Sequence, residues 1–245
     1  MSQTPQQLSG ASPTTGMAGD AAGLFLTFEG VDGAGKSTQC DLVCRALRAG
    51  GRTVVKLREP GGTRLGERIR DLLLDPAALD DGATMSPVAE MLLYEAARAQ
   101  LVSQVVLPAL ARGDVVVSDR FGDSTVAYQG FARHLGADVA RALNGVACGG
   151  VVPTRTLMLD MDPDAALRRA VASQGGAPDR LEAEGAGFQR EVRAGMLDCA
   201  AREPGRVHVI DASGTVDDVY ERVRRDLSDI VVLPGLDRIE GGVRP

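Results

Sequence analysis

The sequence predicts an α/β fold, a doubly wound parallel sheet of five strands with helices on both faces. Three observations predict it. Five short runs rich in Val, Ile and Leu recur along the chain, as strands buried on both faces require. Helical patterns separate them, so each strand returns to the sheet through a crossover. The first run leads into a glycine-rich turn, GVDGAGKS at 30–37, which opens directly onto a helix.

The elements follow in order. Leu24–Phe28 is the first strand. Thr38–Arg48 places Leu42, Val43, Ala46 and Leu47 on one helical face and stops at Gly50-Gly51. Thr53–Leu57 is the second strand, followed by a helix over Arg64–Leu74 and a long one over Pro87–Ala111. Val115–Ser118 is the third strand and Ala137–Cys148 the next helix. Thr156–Leu159 is the fourth strand, and Asp162-Pro163-Asp164 opens a helix to Ser173, with proline in the first turn and acids near its positive end. Gly187–Arg202, a strand over Val207–Ile210 and a helix over Val216–Leu227 complete the pattern. No repeat is visible. One sheet places ligands at the carboxyl ends of its strands.

Composition narrows the function classes. The 245 residues are 44% hydrophobic, with 3% aromatic and no Trp, so aliphatic side chains and alanine must fill the core. A net charge of −6 argues against a nucleic-acid surface, and any anion site must be a local cluster of Arg and Lys. Cys40, Cys44, Cys148 and Cys199 include no C-x-x-C pair and read as buried thiols in a reducing compartment. Of the two histidines, His208 alternates with Val207 and Val209 as a strand residue does; neither it nor His134 is assigned chemistry. Residues 1–22 read as a disordered extension without the pattern of a signal peptide, and residues 231–245 as a loose tail. No apolar run approaches a membrane span. The chain between them, 23–230, reads as one soluble, cytoplasmic domain.

The turn at 30–37 matches G-x-x-x-x-G-K-S. Gly30, Val31, Asp32, Gly33, Ala34 and Gly35 supply a tight backbone whose N–H groups surround phosphates. Lys36 adds charge near the β and γ oxygens, the Ser37 hydroxyl suits Mg²⁺, and Thr38 begins the helix. Two further polar clusters follow strands at the same sheet edge, Arg58-Glu59-Pro60 after the second and Asp119-Arg120-Phe121 after the third. That edge is the predicted active site. Arg58, Arg70, Arg98 and Arg120 are spaced to hold a second anion there, and no N-K-x-D guanine-reading motif is present.

Four motifs in order, FEGVDGAGKST at 28–38, REPGGT at 58–63, LLYEAAR at 92–98 and DRFGDSTVAYQG at 119–130, with a weaker DRLE at 179–182, resemble those of the bacterial thymidylate kinases. The resemblance runs from about Gly23 to Leu227. It implies a P-loop kinase fold like that of nucleoside monophosphate kinases, with a short lid at about 174–184. It further implies a homodimer and transfer of the γ-phosphoryl group of Mg·ATP to dTMP.

It also implies roles. Asp32 would accept from the acceptor's 3′-hydroxyl, and Arg70 and Arg120 would clamp its phosphate bidentately, supported by Arg58 and Glu59 on a turn fixed by Pro60. Tyr94 would stack on thymine, with Arg98, four residues on, donating to base O4. Thr125, Tyr128 and Gln129 would complete the acceptor pocket, Tyr128 against the ribose 2′ position and Gln129 at the base edge. Ser37 and Asp119 would hold Mg²⁺. Arg168 would lie on adenine, beside the turn 211–214.

Two departures matter. The P-loop has Gly33-Ala34 and no arginine, the mark of family members that place arginines in the lid, yet Val171, Ser173 and Gln174 stand where those often lie. A transition-state arginine contributes about 10³–10⁵ in rate. Arg180 is the leading candidate for that charge and Arg169 the second. Two alternatives stay open on the residues alone, a kinase for a nucleoside or another nucleoside monophosphate, and an ATP-binding regulator without transfer activity.

Overall fold

The computed structural model describes residues 23–75, 78–79, 83–173, 180–181 and 184–236. The predicted extension at 1–22, the tail beyond 236 and most of the predicted lid (174–179 and 182–183) lie outside the described residues. Five parallel strands form one sheet in the order β2-β3-β1-β4-β5: β1 Leu24–Glu29, β2 Val54–Arg58, β3 Val115–Asp119, β4 Arg155–Asp160 and β5 Val207–Asp211. Both faces of β1 and β3 are covered. Leu24, Leu26, Phe28, Val115 and Val117 pack into one core with α1 (Lys36–Ala49) and α9 (Val216–Asp226). Phe25 and Val116 point the other way, into a second core with Leu101, Val106 and Phe121. The alternation is what double burial demands of apolar strands.

Helices α2 (Arg64–Leu74) and α6 (Ala137–Cys148) span the predicted residues. Thr63 caps α2 by accepting from the Gly66 N–H at 2.9 Å, and Thr215 with Asp218 forms a capping box on α9. The predicted long helix is interrupted. It runs as α3 (Pro87–Leu101), a π-helical turn (Val102–Val106) and α4 (Leu107–Ala111). Pro108 has no N–H to donate and its ring crowds the carbonyl one turn back, so the ladder widens ahead of it.

One helical segment was not predicted. After β3 the chain enters α5 (Gly122–Thr125) and continues as a π-helical stretch, Val126–Ala132. Residues 121–130 are all buried, largely against α6 and α8 (Gly185–Arg202), so no polar face gives the segment helical periodicity. Helix α7 spans Pro163–Ser173. Among the described residues no helix is long and apolar enough to cross a membrane.

Candidate active site

The site begins where β1 ends. Gly30, Gly33 and Gly35 take φ of 139°, 84° and 92°, values that favour glycine, and turn the chain sharply into α1. The first turn of α1 has no side-chain cap, so its N–H groups remain for an anion. A Cβ on Gly33 would come within 2.0 Å of the Ala166 carbonyl oxygen on α7. The α7 backbone thus leaves no room for a side chain at position 33. Lys36 Nζ donates to the Val31 carbonyl at 2.8 Å and lies 3.9 Å from Asp32. Burial pulls the Lys36 amine below its ordinary value, Arg120 adds to that, and Asp32, Asp119 and Glu29 oppose it.

The loop after β3 delivers the second cation. Arg120 has a left-handed backbone, φ 71°, rare for a side-chain-bearing residue and costly unless held. It is held on both sides. Its N–H donates to the Phe28 carbonyl, and buried Glu29 accepts from the N–H groups of Phe121 and Ser124 and from the Ser124 hydroxyl. Burial, with the nearby charge of Asp123, pushes the Glu29 carboxyl up to about 7. The Arg120 guanidinium pairs closely with Asp32 and also donates to the Gly30 carbonyl and the hydroxyls of Ser124 and Tyr128. Asp32 accepts further from Tyr128 at 3.1 Å and from Gln189 at 3.0 Å. Burial favours protonation of Asp32, but Arg120 and Lys36 hold its carboxyl below the usual range.

Two more guanidiniums face the same space. Arg70 donates to the Pro60 carbonyl, which follows a cis Glu59–Pro60 bond, and Arg58 pairs with Glu67. Together with the P-loop they wall one cleft of about 780 Å³. Asp32, Gly33, Ala34, Gly35, Lys36, Ser37, Thr38, Arg58, Glu59, Pro60, Arg70, Tyr94, Asp119, Arg120, Thr125, Tyr128 and Gln129 line it, so most of the predicted site residues meet in one place. Ser37 donates to Asp119 across it at 2.5 Å.

Five predicted residues stand elsewhere. Gly30 and Val31 do not line the cleft; their carbonyls accept from Arg120 and Lys36. Arg98 is 1% exposed and is not among the residues lining the cleft, though its partners Glu59 and Thr125 are. Its guanidinium donates to Glu59, Glu95, Thr125, Asn144 and the Phe121 carbonyl, and those partners occupy all of its nitrogens. Arg168 does not reach the cleft; Arg169, about 100° further around α7, lines it and donates to the carbonyls of Ala212 and Gly214. Arg180 is also outside, paired with Glu90 at 2.6 Å and donating to the Leu73 carbonyl.

Sequence reasoning missed Gln39, Ser124 and Val216 in the cleft wall, and Gln189 against Asp32. Gln39 was findable, one turn beyond Lys36 on the same helix face. Gln189 was not, since 157 residues separate it from its partner.

The comparisons with known proteins agree with this geometry. The family model for thymidylate kinase matches residues 28–223. Thymidylate kinase of Solidesulfovibrio magneticus is 50% identical over 207 residues, covering 82% of this chain and 96% of that protein. That of Deinococcus radiodurans is 45% identical over 207 residues, 84% of this chain and 97% of its own. The crystal structure of thymidylate kinase from Ehrlichia chaffeensis superposes with a TM-score of 0.66 at 32% identity, covering 84% of this chain and 99% of that one. This chain belongs to the thymidylate kinase family.

Proposed function

We propose that this protein transfers the γ-phosphoryl group of ATP to the 5′-phosphate of dTMP, giving dTDP and ADP. The carrying observation is the single cleft with two anion sites, the P-loop at one end and Arg58, Arg70 and Arg120 at the other, with Asp32 between them. An oxygen of the acceptor phosphate attacks the γ-phosphorus in line. The bond from γ-phosphorus to the β–γ bridging oxygen breaks, and its electron pair leaves with ADP. The acceptor phosphate is already an anion, so no general base is required, in keeping with a cleft wall that contains no histidine.

Alignment and charge neutralisation then supply the rate. Lys36 and the uncapped turn of α1 hold the donor phosphates. Arg120 and Arg70 hold the acceptor phosphate, and the Asp32 carboxylate accepts from the sugar 3′-hydroxyl. Tyr94 and Gln129 meet the base, and Arg169 with the 211–214 turn meets adenine in place of Arg168. Arg98 holds Glu59 and Thr125 in position from below. With Arg180 tied to Glu90 and Arg169 at the adenine end, the charge on the transferring group falls to Lys36 and Arg120.

The residues fit Mg²⁺. Ser37 and Asp119 offer a hydroxyl and a carboxylate oxygen side by side, and Mg²⁺ typically takes one or two protein oxygens with phosphates and water. Held there, the metal would supply positive charge to offset that of the donor phosphates.

A cytoplasmic homodimer is part of this reading. Its support is four free, buried cysteines and exposed apolar side chains on neighbouring helices, Leu65 and Leu72 on α2, Val88 and Leu92 on α3, and Val139 and Val146 on α6. A net charge of −6 argues against nucleic acid as a partner. The test is ADP release from Mg·ATP with dTMP, dUMP, dCMP and thymidine supplied separately. Strong turnover with dTMP and none with thymidine is expected; turnover with thymidine alone overturns the assignment.

A further inference from the structure

Glu90 takes part in none of the steps above, yet its buried carboxylate is engaged by three side chains, those of Gln129, Arg133 and Arg180. It stands in the first turn of α3 with its side chain 0% exposed. Its Oε1 accepts from Gln129 Nε2 at 2.8 Å and from Arg133 Nε at 3.2 Å. Its Oε2 accepts from Arg133 Nη2 at 3.3 Å. Arg180 Nη2 lies 2.6 Å from Oε2, a charge contact rather than a well-aligned hydrogen bond. Burial alone favours protonation, but the hydrogen bonds from Gln129 and Arg133 and the charges of Arg133 and Arg180 hold the carboxyl below its usual range. At neutral pH, Glu90 is therefore only an acceptor.

That property fixes its neighbour. An amide side chain is nearly symmetric in shape, and its hydrogen-bond partners decide which end carries the nitrogen. A carboxylate cannot donate, so the amide nitrogen of Gln129 must face Glu90. Gln129 also lines the cleft, and the atom left for the cleft is its carbonyl oxygen. A carbonyl oxygen there accepts from the N3–H of thymine and faces a bare lone pair on N3 of cytosine. A site built to bond one and left unpaired by the other discriminates far more strongly than a shape fit does.

We propose that Glu90 is a positioning residue for base selection, fixing the Gln129 amide so that only its acceptor oxygen is presented to the acceptor base. This rests on dTMP being the acceptor. The same carboxylate holds Arg180, whose neighbour Leu181 lines the cleft, so it also steadies that wall.

The test compares kcat/KM for dTMP and dCMP in the parent chain, Glu90→Gln, Gln129→Leu and the double variant, with thermal melts as the check on folding. Parent activity on dTMP comes first, and its absence would refute the acceptor assignment itself. Given that activity, Glu90→Gln supplies an amide that can donate to Gln129, so the Gln129 side chain can turn over. The dTMP-to-dCMP ratio should then fall at least tenfold while the KM for ATP stays within twofold. In the Gln129→Leu background the same change should leave the ratio unaltered. An equal loss for both substrates, or an effect that persists without Gln129, overturns the proposal. Glu90→Asp serves where Glu90→Gln does not fold. It keeps the charge for Arg133 and Arg180 but withdraws the oxygen from Gln129, and an unchanged ratio there is equally fatal.

Discussion

Replacing Arg98 with Met separates an arginine that reads the base from one that holds up the floor. The guanidinium is surrounded by Glu59 at 2.7 Å and Glu95 at 2.8 Å, with side-chain exposures of 1%, 4% and 8% for the three residues. Met fills much of the same volume but strands two buried carboxylates. Breaking a buried pair in this way costs about 3–5 kcal/mol. A domain of this size loses roughly 2–4 °C in Tm per kcal/mol, so the melt should fall by about 10 °C. Such a cost is below the ~5–15 kcal/mol of an ordinary domain, and the variant should still fold.

The loss should also depend on pH. Burial already raises the Glu59 carboxyl, and Arg98 opposes that shift. Without the guanidinium the group rises further. Protonation then relieves the stranded charge, so the variant is closer to the parent at pH 5 than at pH 8. Urea melts at both values read this directly. Adding Glu59→Gln and Glu95→Gln to Arg98→Met should recover most of the stability. A variant as stable as the parent at pH 8, yet blind to the difference between dTMP and dCMP, would refute the reasoning and return Arg98 to the base edge.

Four further outcomes follow from the same structure. Glu29, at about 7 against an ordinary 4.5, binds a proton in the folded state that the unfolded chain has lost. Stability should therefore decline as pH rises from 4.5 to 7, by about 3 kcal/mol at most, and Glu29→Gln should flatten that slope in pH-dependent urea melts. Gly33→Ala places a Cβ against the Ala166 carbonyl at positive φ and should cost roughly 1–3 kcal/mol. Gly145→Ala, in open space within α6, should stabilise by about 0.5–1 kcal/mol, and paired chemical denaturation compares the two. Ser37→Ala removes one of two protein oxygens suited to Mg²⁺, so kinetics at varied Mg²⁺ should show a higher metal requirement with little change in melting temperature.

Much of the fold was legible because the core strands are apolar on both faces and most helices between them are amphipathic. Apolar periodicity and glycine punctuation placed α2 and α6 to the residue. The helical stretch from Gly122 to Ala132 was not legible, because burial on all sides removes the polar face that periodicity detects. The site was read well where function needs a local backbone pattern, as at Gly30–Thr38 and Asp119–Arg120. It was read less well where function depends on which way a long side chain turns. Arg168 and Arg169 differ by one step around a helix, and only packing decides which meets the cleft. Arg98 and Arg180 carry charges that nearby carboxylates claim, and those partners, Glu59, Glu95 and Glu90, are identified by the folded chain alone.

The most direct test of the account follows the fate of the γ-phosphoryl group. ATP labelled at the γ-phosphorus is mixed with excess enzyme, Mg²⁺ and dTMP, and the products of a single turnover are separated. The account predicts that the label moves quantitatively into the terminal phosphate of dTDP, one for each ADP formed. Label released as inorganic phosphate, or retained in ATP while dTMP is bound, would contradict it.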